Sequence, residues 1–443
     1  MFSVIEQEFL TYISSILSEN TFYFKTDKEY IDFSDKDFSF NIEIYSRSKK
    51  IIKKVDSSNF DFIHSILKTT IFNKKKIICW NIKNYFSYYR NKTGRSFSTD
   101  SQIFDLKVLE RISGKYDDNS PNDFKEALNR FSSIYKEDWH RISGLYKDVH
   151  CPLMFKVIPS IEAKGIVDKE DKIVKYCYYE IEGQENGRLS SFGCLKNNFL
   201  PLNLKEEDKI RYRTPDQDQL FLLFDYKNME VSVLEYLTKD ANLKKILSEG
   251  DDFYESLYKK IINPNNFDAE KRKKMKMIFL PFVYGAGNKK ISETCNIELS
   301  KVEIITKRIR EIFPQVFSWL DNYSKNNQNG YYVNTFGKKR KIEQSYKSIN
   351  FIVQSTASIF CLDKLIDLHS AFKRNICFYV HDAYCLYCDK KELESNIKMI
   401  KNILLQDSKF LNNIHLSVSC KYGSNLNEMV EYEQGEHSER YMQ

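Results

Sequence analysis

Several features that mark membrane and secreted proteins are missing from this sequence of 443 residues. No run approaches the roughly 20 apolar residues that a helix needs to cross a bilayer. The first ten residues, MFSVIEQEFL, carry acidic side chains where a signal peptide has a basic end and an apolar middle. The ten cysteines are not spaced as in a disulfide framework, and no internal repeat is present. We therefore expect an intracellular protein of the cytoplasm (the host cytoplasm if its source is a virus), with no membrane partner.

The composition is that of a folded chain with charges of both signs. Apolar residues make up 42% and aromatic residues 14%, which is too much for a disordered protein. The 68 basic residues exceed the 61 acidic ones and leave a formal net charge of +7. Such a small excess permits a polyanionic partner without requiring one. At about 150 residues per domain, the length indicates roughly three domains.

Two aspartates lie at the ends of apolar runs that have the character of strands. Asp225 follows LFLLF, the pattern of a buried strand, and Asp382 lies in a His-Asp turn between CFYV and AYCLYC, the pattern of a β-hairpin. Either aspartate alone is more often a simple turn residue. Two carboxylates at strand ends can also hold a pair of Mg²⁺ ions about 3.5 to 4 Å apart for phosphoryl transfer.

A basic helix strengthens the second interpretation. The segment DAEKRKKMKMIFLPFVYGAG predicts a helix with Asp268 as its N-cap and an end near Gly285. Two cations and an aromatic ring on one helix face can bind a triphosphate and stack on a base. Residues spaced four apart form such a stripe: Arg272, Lys276, Leu280 and Tyr284.

These segments resemble the family A DNA polymerases. DYKNMEVSVLEYL, RKKMKMIFLPFVYG and VHDAY are similar to motifs A, B and C of that family, in the same order. NGRLSS (residues 186–191) resembles the element before the palm, GYYVNTFGKKR (330–340) the hairpin after the fingers, and SINFIVQSTA (348–357) the helix that contacts the nascent base pair. YGSNLNEM resembles the closing segment, so that the resemblance covers residues 187–429.

The resemblance implies roles at the reacting centre. Asp225 and Asp382 would be catalytic and would ligate two Mg²⁺ ions, with the carbonyl of Tyr226 as a further ligand and Mn²⁺ as a possible substitute. Arg272 and Lys276 would bind the triphosphate of an incoming dNTP. Lys276 would also protonate the pyrophosphate leaving group.

Other residues would select the nucleotide and the DNA. Glu230 matches the residue that excludes a 2′-hydroxyl, so the substrate is expected to be a deoxynucleotide. Tyr284 would abut the templating pair, and Leu280 and Tyr254 would contact the nucleotide. The residues expected to bind the primer-template are three readers of minor-groove acceptors and one primer-end contact: Arg188, Asn350 and Gln354, and His381.

The sequence departs from the family at several of these positions. Ala383 replaces the acidic residue that normally follows the aspartate of motif C. Leu280 stands where the family has Phe or Tyr, and Tyr254 stands where many members have a phosphate-contacting His. Pro281 lies inside the predicted helix and should kink it.

Residues 1–149 resemble, more faintly, the proofreading exonuclease domain of the same polymerases. In its acidic motifs Asn41 replaces one Asp and Tyr85 another, whereas Glu43 remains. Two-metal hydrolysis needs several carboxylates, and at most two survive, so we expect no proofreading. An unrelated α/β domain is the alternative.

The stretch between Gly165 and Gly187 is too short for the pair of long antiparallel helices that form the family's thumb. We therefore expect a vestigial thumb within residues 150–186. Without a full thumb the chain would have few contacts with the duplex, and it would need a protein partner for processivity.

The predicted fold is thus α/β and α+β: an RNase H-like domain at 1–149, a connector at 150–186, and at 187–443 a palm with an antiparallel sheet and helical fingers at about 240–325. The predicted function is that of a DNA-directed DNA polymerase. A single-subunit RNA polymerase, which also lacks the second acid of motif C, and a non-catalytic DNA-binding subunit of a replication complex are the alternatives.

Overall fold

The computed structural model describes residues 4–16, 19–28, 38–47, 49–72, 76–97, 102–115, 117, 119–191, 199–249, 252–262, 267–326, 330–343, 346–373 and 375–433. The chain forms two compact units. The first comprises Met1–Phe224, Leu362–Ile400 and Cys420–Gln443, and the second comprises Asp225–Cys361 and Lys401–Ser419.

The first unit begins with a mixed five-stranded sheet in the order β3-β2-β1-β4-β5. Strands β1, β2 and β3 are antiparallel neighbours, whereas β4 is parallel to β1 and β5 is parallel to β4. The elements of this region are α1 (Val4–Ile16), β1 (Thr21–Thr26), β2 (Phe40–Tyr45), β3 (Lys50–Val55), α2 (Phe60–Thr70), β4 (Lys76–Trp80), α3 (Lys83–Thr93), β5 (Gln102–Asp105) and α4 (Leu106–Ser113). Because α3 connects the parallel strands β4 and β5, this is the α/β architecture that the sequence predicts.

The core of this sheet follows from the alternation of side chains along its strands. In β2, Phe40, Ile42 and Ile44 are buried while the residues between them are half-buried. Aromatic rings fill the space beside the sheet, where Phe24 contacts Tyr85 edge to face at 5.7 Å between ring centres.

Short elements connect this domain to the rest of the first unit. They are α5 (Phe124–Glu137), α6 (Trp139–Leu145), two π-helical turns, α7 (Ile158–Glu162), β6 (Ile166–Asp168), β7 (Ile173–Lys175), β8 (Tyr179–Glu180), β9 (Ser190–Ser191), α8 (Glu206–Lys209) and β10 (Tyr212–Arg213). Strands β10, β6 and β7 form a small sheet, and β8 pairs with β9. The stretch between Gly165 and Gly187, all of which is described, therefore holds short strands and turns instead of helices.

The strand β11 (Gln219–Lys227) carries the apolar run LFLLF and passes from the first unit into the second at Asp225. The second unit is mostly helical. Its elements are α9 (Met229–Thr238), α10 (Ala241–Ser248), α11 (Phe253–Ile261), α12 (Ala269–Val283), α13 (Asn288–Cys295), α14 (Leu299–Ile312), α15 (Pro314–Asn326), β12 (Tyr331–Val333), β13 (Lys339–Lys341) and the start of α16 (Tyr346–Phe372). The helices α10–α15 occupy the region predicted for the fingers.

The predicted hairpin around Asp382 is confirmed. It consists of β14 (Ile376–Val380) and β15 (Ala383–Asp389), which are antiparallel. It is followed by α17 (Leu393–Leu405), β16 (Ser417–Gly423) and β17 (Val430–Glu431). The sheet order β14-β15-β11-β16-β17 places the strand of Asp225 next to β15 and leaves β14 at an edge. The combination of a mixed α/β domain, a second sheet and a helical region confirms the predicted fold class.

Among the described residues, one helix is long and apolar enough to span a membrane by length and composition. It comprises Lys347–Phe372, has a mean hydropathy of 1.3 over its most apolar window, and buries 83% of that window inside the fold. A helix of this kind can equally be the central helix of a globular core.

Candidate active site

Helix α12 begins where the sequence predicts. The carboxylate of Asp268 accepts a hydrogen bond from the backbone N–H of Lys271 at 2.9 Å, so Asp268 is the N-cap. The helix ends at Val283, two residues before the predicted end at Gly285, and Tyr284 is its C-cap. Its basic residues therefore extend along an ordinary capped helix.

The cations of α12 differ in what they contact. Lys271 and Lys274 pair with acidic residues of their own helix, at 2.9 Å and 2.7 Å. Such exposed pairs contribute little to stability. Arg272 instead binds the carboxylate of Asp252 through Nε at 2.8 Å and Nη2 at 2.7 Å. Lys276 is exposed and makes no ion pair with any residue of the described ranges, so its ammonium group is available to a bound anion.

Asp252 is a residue that our reading of the sequence missed. Its Oδ1 caps helix α11 by accepting hydrogen bonds from the N–H groups of Tyr254 and Glu255, both at 3.1 Å. Its Oδ2 accepts the bonds from Arg272. One carboxylate thus fixes the start of α11 and orients the guanidinium of α12. An Asp directly before FYESLYKK signals an N-cap in the sequence, but nothing there signals the contact with Arg272.

Tyr254 lies beside this ion pair. Its side chain is only 2% exposed, and the guanidinium of Arg272 is 5.5 Å from its ring centre. Burial raises the pKa of the Tyr254 hydroxyl, the charge of Glu230 raises it further, and Arg272 opposes both. The surroundings of Tyr254 therefore favour the neutral form of its hydroxyl.

Glu230 and Gln354 form a direct contact within the second unit. Glu230 lies in the first turn of α9, just after Asn228, whose positive φ of 56° turns the chain from β11 into that helix. Gln354 Nε2 donates to Glu230 Oε1 at 3.0 Å. Asn350 lies one turn before Gln354 on α16 and is half-buried. The predicted sugar-selecting residue and a predicted minor-groove reader are therefore hydrogen-bonded to each other.

Asp225 is exposed, and it lies inside β11 rather than at its tip, because the strand continues to Lys227. Its backbone carbonyl accepts a hydrogen bond from Ser419 at 3.2 Å. The buried Tyr226 donates its hydroxyl to the carbonyl of Leu404 at 2.6 Å. These contacts hold the backbone at the predicted metal ligand and at the residue that follows it.

Asp382 and His381 form the turn between β14 and β15. His381 adopts a positive φ of 55°, which is uncommon for a residue with a side chain. Burial lowers the pKa of His381 to about 4, and the positive charge of Arg188 lowers it as well. Asp382 belongs to the first unit and Asp225 to the second, so a shared metal site of the two remains a prediction.

The donor set fits a hard divalent cation. Asp225 and Asp382 offer carboxylate oxygens and Tyr226 a carbonyl oxygen, which are ligands that Mg²⁺ prefers. Within the described ranges, no group of three or more His, Cys, Asp or Glu side chains could hold a metal ion. With Ala383 in place of an acid, the remaining coordination positions would have to be filled by water and substrate oxygens.

The surviving acidic residues of the first domain have structural partners. Glu43 pairs with Lys50 at 3.1 Å and with Lys25 at 3.6 Å. Tyr85, which stands where the exonuclease motif has an acid, is buried and is hydrogen-bonded to His64 at 2.8 Å. Asp105, in another segment similar to that domain, caps α4.

Comparison with known proteins gives a consistent result. A family model described as DNA polymerase family A matches residues 161–428, a range that contains every predicted site residue. DNA polymerase I of Geobacillus stearothermophilus is 24% identical over 339 residues, which is 72% of this chain and 35% of that protein. DNA polymerase I of Chloroflexus aurantiacus is 22% identical over 385 residues, or 77% of this chain and 40% of the relative. The chain spans about a third of the length of the curated relatives it matches.

A solved structure shares the fold. It is the POL domain of Pol1 from M. smegmatis in complex with DNA primer-template and dNTP, with a TM-score of 0.74 and 12% sequence identity. The match covers 95% of this chain and 98% of that one.

Proposed function

The chain belongs to DNA polymerase family A, and from this premise we propose that it is a DNA-directed DNA polymerase that adds dNTPs to the 3′ end of a primer. The observation that carries the proposal is the family match over residues 161–428, within which Gln354 is hydrogen-bonded to Glu230 and the guanidinium of Arg272 lies over the ring of Tyr254. Primer-template DNA and dNTPs are the proposed partners, as they are in the complex of the M. smegmatis domain.

The triphosphate would bind along α12. Arg272 is already oriented by Asp252, which occupies its Nε and Nη2, while other N–H groups of the guanidinium stay free for phosphate oxygens. Lys276 lies one turn further on and is exposed. Lys276 would bind the same phosphates and give its proton to the pyrophosphate as it leaves. Tyr284 at the end of the helix, with Leu280 before it, would abut the new base pair.

Sugar selection would depend on Glu230. Its carboxylate accepts a hydrogen bond from Gln354 at 3.0 Å. The buried Tyr254 is close enough for the charge of Glu230 to raise the pKa of its hydroxyl. A carboxylate fixed beside the sugar would leave no room for a 2′-hydroxyl, so the site should favour deoxynucleotides.

Family A DNA polymerases use divalent metal ions, and Asp225, Asp382 and the carbonyl of Tyr226 are the residues that would hold them here. When bound, two Mg²⁺ ions would stabilise the attacking and leaving oxygens of the in-line displacement. Mn²⁺ has the same charge and accepts the same oxygen ligands. The protein's own contribution is to fix the backbone at both carboxylates.

The side chains that bind the duplex would make contacts that are the same for every base sequence. Arg188, Asn350 and Gln354 are polar groups that can address the acceptors common to all correct pairs in the minor groove. His381, whose pKa is lowered to about 4 by burial, would contact the primer end. Such contacts test the geometry of a pair rather than its identity.

We further propose that the first domain does not proofread and that the enzyme depends on a partner for processivity. The partners of Glu43, Asp105 and Tyr85 support the first point, because none of these side chains is free to form a metal cluster. The short strands between Gly165 and Gly187 support the second, since they offer little surface to a duplex. We propose that the protein acts in the cytoplasm.

Primer extension tests the proposal. The purified full chain, supplied with Mg²⁺, a primer-template and four dNTPs, should add the complementary nucleotide at each template position and leave a mismatched primer end undegraded. Absence of incorporation with either Mg²⁺ or Mn²⁺ would contradict it. Preference for rNTPs would indicate an RNA polymerase instead, and DNA binding without incorporation would indicate a non-catalytic subunit.

A further inference from the structure

The hydroxyl of Tyr179 forms two hydrogen bonds with the backbone of a single residue of the β14–β15 hairpin. It donates to the carbonyl of Tyr379 at 2.9 Å and accepts from the N–H of the same residue, also at 2.9 Å. Both tyrosines are 2% exposed. Among the described strands β14 is at the edge of its sheet, and these two backbone groups face away from its partner β15. Tyr179 takes the place of a further strand on that side.

Through its own side chain, Tyr379 is connected to the turn that carries Asp382. The hydroxyl of Tyr379 donates to the carbonyl of His381. His381 has a positive φ, a conformation that the surroundings must hold in place. A shift of Tyr379 would therefore be transmitted to His381 and to the Asp382 that follows it.

The backbone of Tyr179 is connected to the first domain through Glu162. Its backbone N–H donates to Glu162 Oε1 at 2.9 Å. Glu162 is 1% exposed and pairs with the buried Lys83 of α3 at 2.7 Å, and it accepts a second hydrogen bond from Ser87. Breaking a buried pair of this kind leaves an uncompensated charge, so the arrangement is rigid.

We propose that Tyr179 is a positioning residue for the metal ligand Asp382, and that the first domain, through Lys83 and Glu162, serves to hold it. This proposal rests on the proposed function, because it takes Asp382 to be a metal ligand. It gives a role to a domain whose acidic residues are engaged in structural contacts. Tyr179 acts through Tyr379 and the turn and touches neither nucleotide nor metal.

The test compares Tyr179→Phe with Tyr387→Phe in the full chain. Tyr179→Phe removes only the hydroxyl and with it both hydrogen bonds to the backbone of Tyr379. Tyr387→Phe is the matched control, because Tyr387 is equally buried, lies on β15 of the same hairpin, and loses a bond to the carbonyl of Gly165 at 3.2 Å. Binding of Mn²⁺ without DNA, followed by electron paramagnetic resonance, reports the metal site independently of activity.

For Tyr179→Phe we expect Mn²⁺ affinity to fall about tenfold and the Mg²⁺ concentration for half-maximal extension to rise by a similar factor, as for other residues that orient metal ligands. Faster hydrogen exchange of the amides of β14 should accompany this. The Kd for primer-template should not change, and Tyr387→Phe should behave as wild type in Mn²⁺ binding.

Equal Mn²⁺ affinity in Tyr179→Phe and wild type would overturn the proposal, as would an equal loss in both variants. If Tyr179→Phe does not fold, Tyr379→Phe removes the hydroxyl that donates to His381 and must lower Mn²⁺ affinity for the proposal to stand. A wild-type chain that binds Mn²⁺ but extends no primer would refute the proposed function alone. A chain that binds no Mn²⁺ at all would refute this inference.

Discussion

Gln354 donates a hydrogen bond to the carboxylate of Glu230 at 3.0 Å, although the two residues are 124 positions apart in the chain. Glu230 is the residue expected to exclude a 2′-hydroxyl, and Gln354 is expected to read the minor groove of the new pair. If these roles hold, sugar selection and base-pair checking share one contact in the second unit. A disturbance of either residue should affect both kinds of discrimination.

Replacing Glu230 with alanine should relax selection against ribonucleotides. The substitution removes the carboxylate that fills the space of the 2′-hydroxyl, and kcat/KM for an rNTP should rise by about 10- to 100-fold relative to the matching dNTP. The measurement is single-nucleotide incorporation with paired rNTP and dNTP. Glu235→Gln on the same helix is the control and should leave the ratio unchanged; an unchanged ratio in Glu230→Ala would show that another residue selects the sugar.

Replacing Arg272 with alanine should weaken dNTP binding. If Arg272 binds the triphosphate as proposed, the substitution removes charge-assisted hydrogen bonds to it, and KM for dNTPs should rise roughly 10- to 100-fold. Steady-state extension at varied dNTP concentration measures the effect. Lys271→Ala removes a neighbouring cation that pairs with Asp268 at the start of the helix, and it should change KM by less than about twofold. Similar KM values for both variants would argue that α12 acts through its overall charge.

Replacing Asp268 with alanine should loosen the start of α12. Loss of the N-cap bond to Lys271 destabilises a helix by about 1 kcal/mol. Hydrogen exchange of the first turn of α12 should become faster, whereas Asp268→Ser, which retains a capping oxygen, should stay close to wild type. If alanine and serine gave the same exchange rates, the cap would not stabilise the helix in solution.

Stability should fall as the pH is lowered below about 6.5, in part through His64. Burial lowers the pKa of His64 from 6.5 to about 4, helped by Lys68 and opposed by Asp61, while its Nδ1 is hydrogen-bonded to Tyr85. Between these two pH values the unfolded chain binds a proton that the folded chain does not, so the free energy of unfolding decreases as the pH falls and is level above pH 6.5.

The measurement is urea unfolding at several pH values for wild type and His64→Gln. His64→Gln should lower the free energy of unfolding above pH 6.5, because it disturbs the hydrogen bond to Tyr85. Between pH 6.5 and 4 it should reduce the slope of that free energy against pH. Some slope should remain in His64→Gln, because the pKa of His369 is also lowered to about 4 and His369 is unchanged in that variant. Parallel curves for the two proteins would mean that His64 does not titrate differently on folding.

Local patterns predicted the elements that carry the site. The cap at Asp268 and the period of the stripe that follows it predicted α12, and the alternating runs around His381 and Asp382 predicted the hairpin. Both depend on residues close in sequence. The apolar run before Asp225 predicted a strand but not its last two residues, because Tyr226 is buried by a contact with Leu404, far away in the chain.

The contacts that orient the site could not be predicted in this way. Arg272 and Asp252 are 20 residues apart and Tyr179 and Tyr379 are 200 residues apart. In each case the sequence shows a residue with an ordinary local role, an N-cap or an apolar ring. The second role arises only when tertiary packing brings a distant backbone or guanidinium within hydrogen-bonding distance.

The most direct test of the central claim is the single-turnover rate of dNTP addition by wild type, Asp225→Asn, Asp382→Asn and, as a control on the same hairpin, Asp389→Asn. We predict that wild type and Asp389→Asn extend a primer in Mg²⁺ at similar rates, and that each of the other two variants is slower by at least about a thousandfold, since each loses a charged metal ligand. Extension at the wild-type rate by Asp225→Asn or Asp382→Asn would contradict the account.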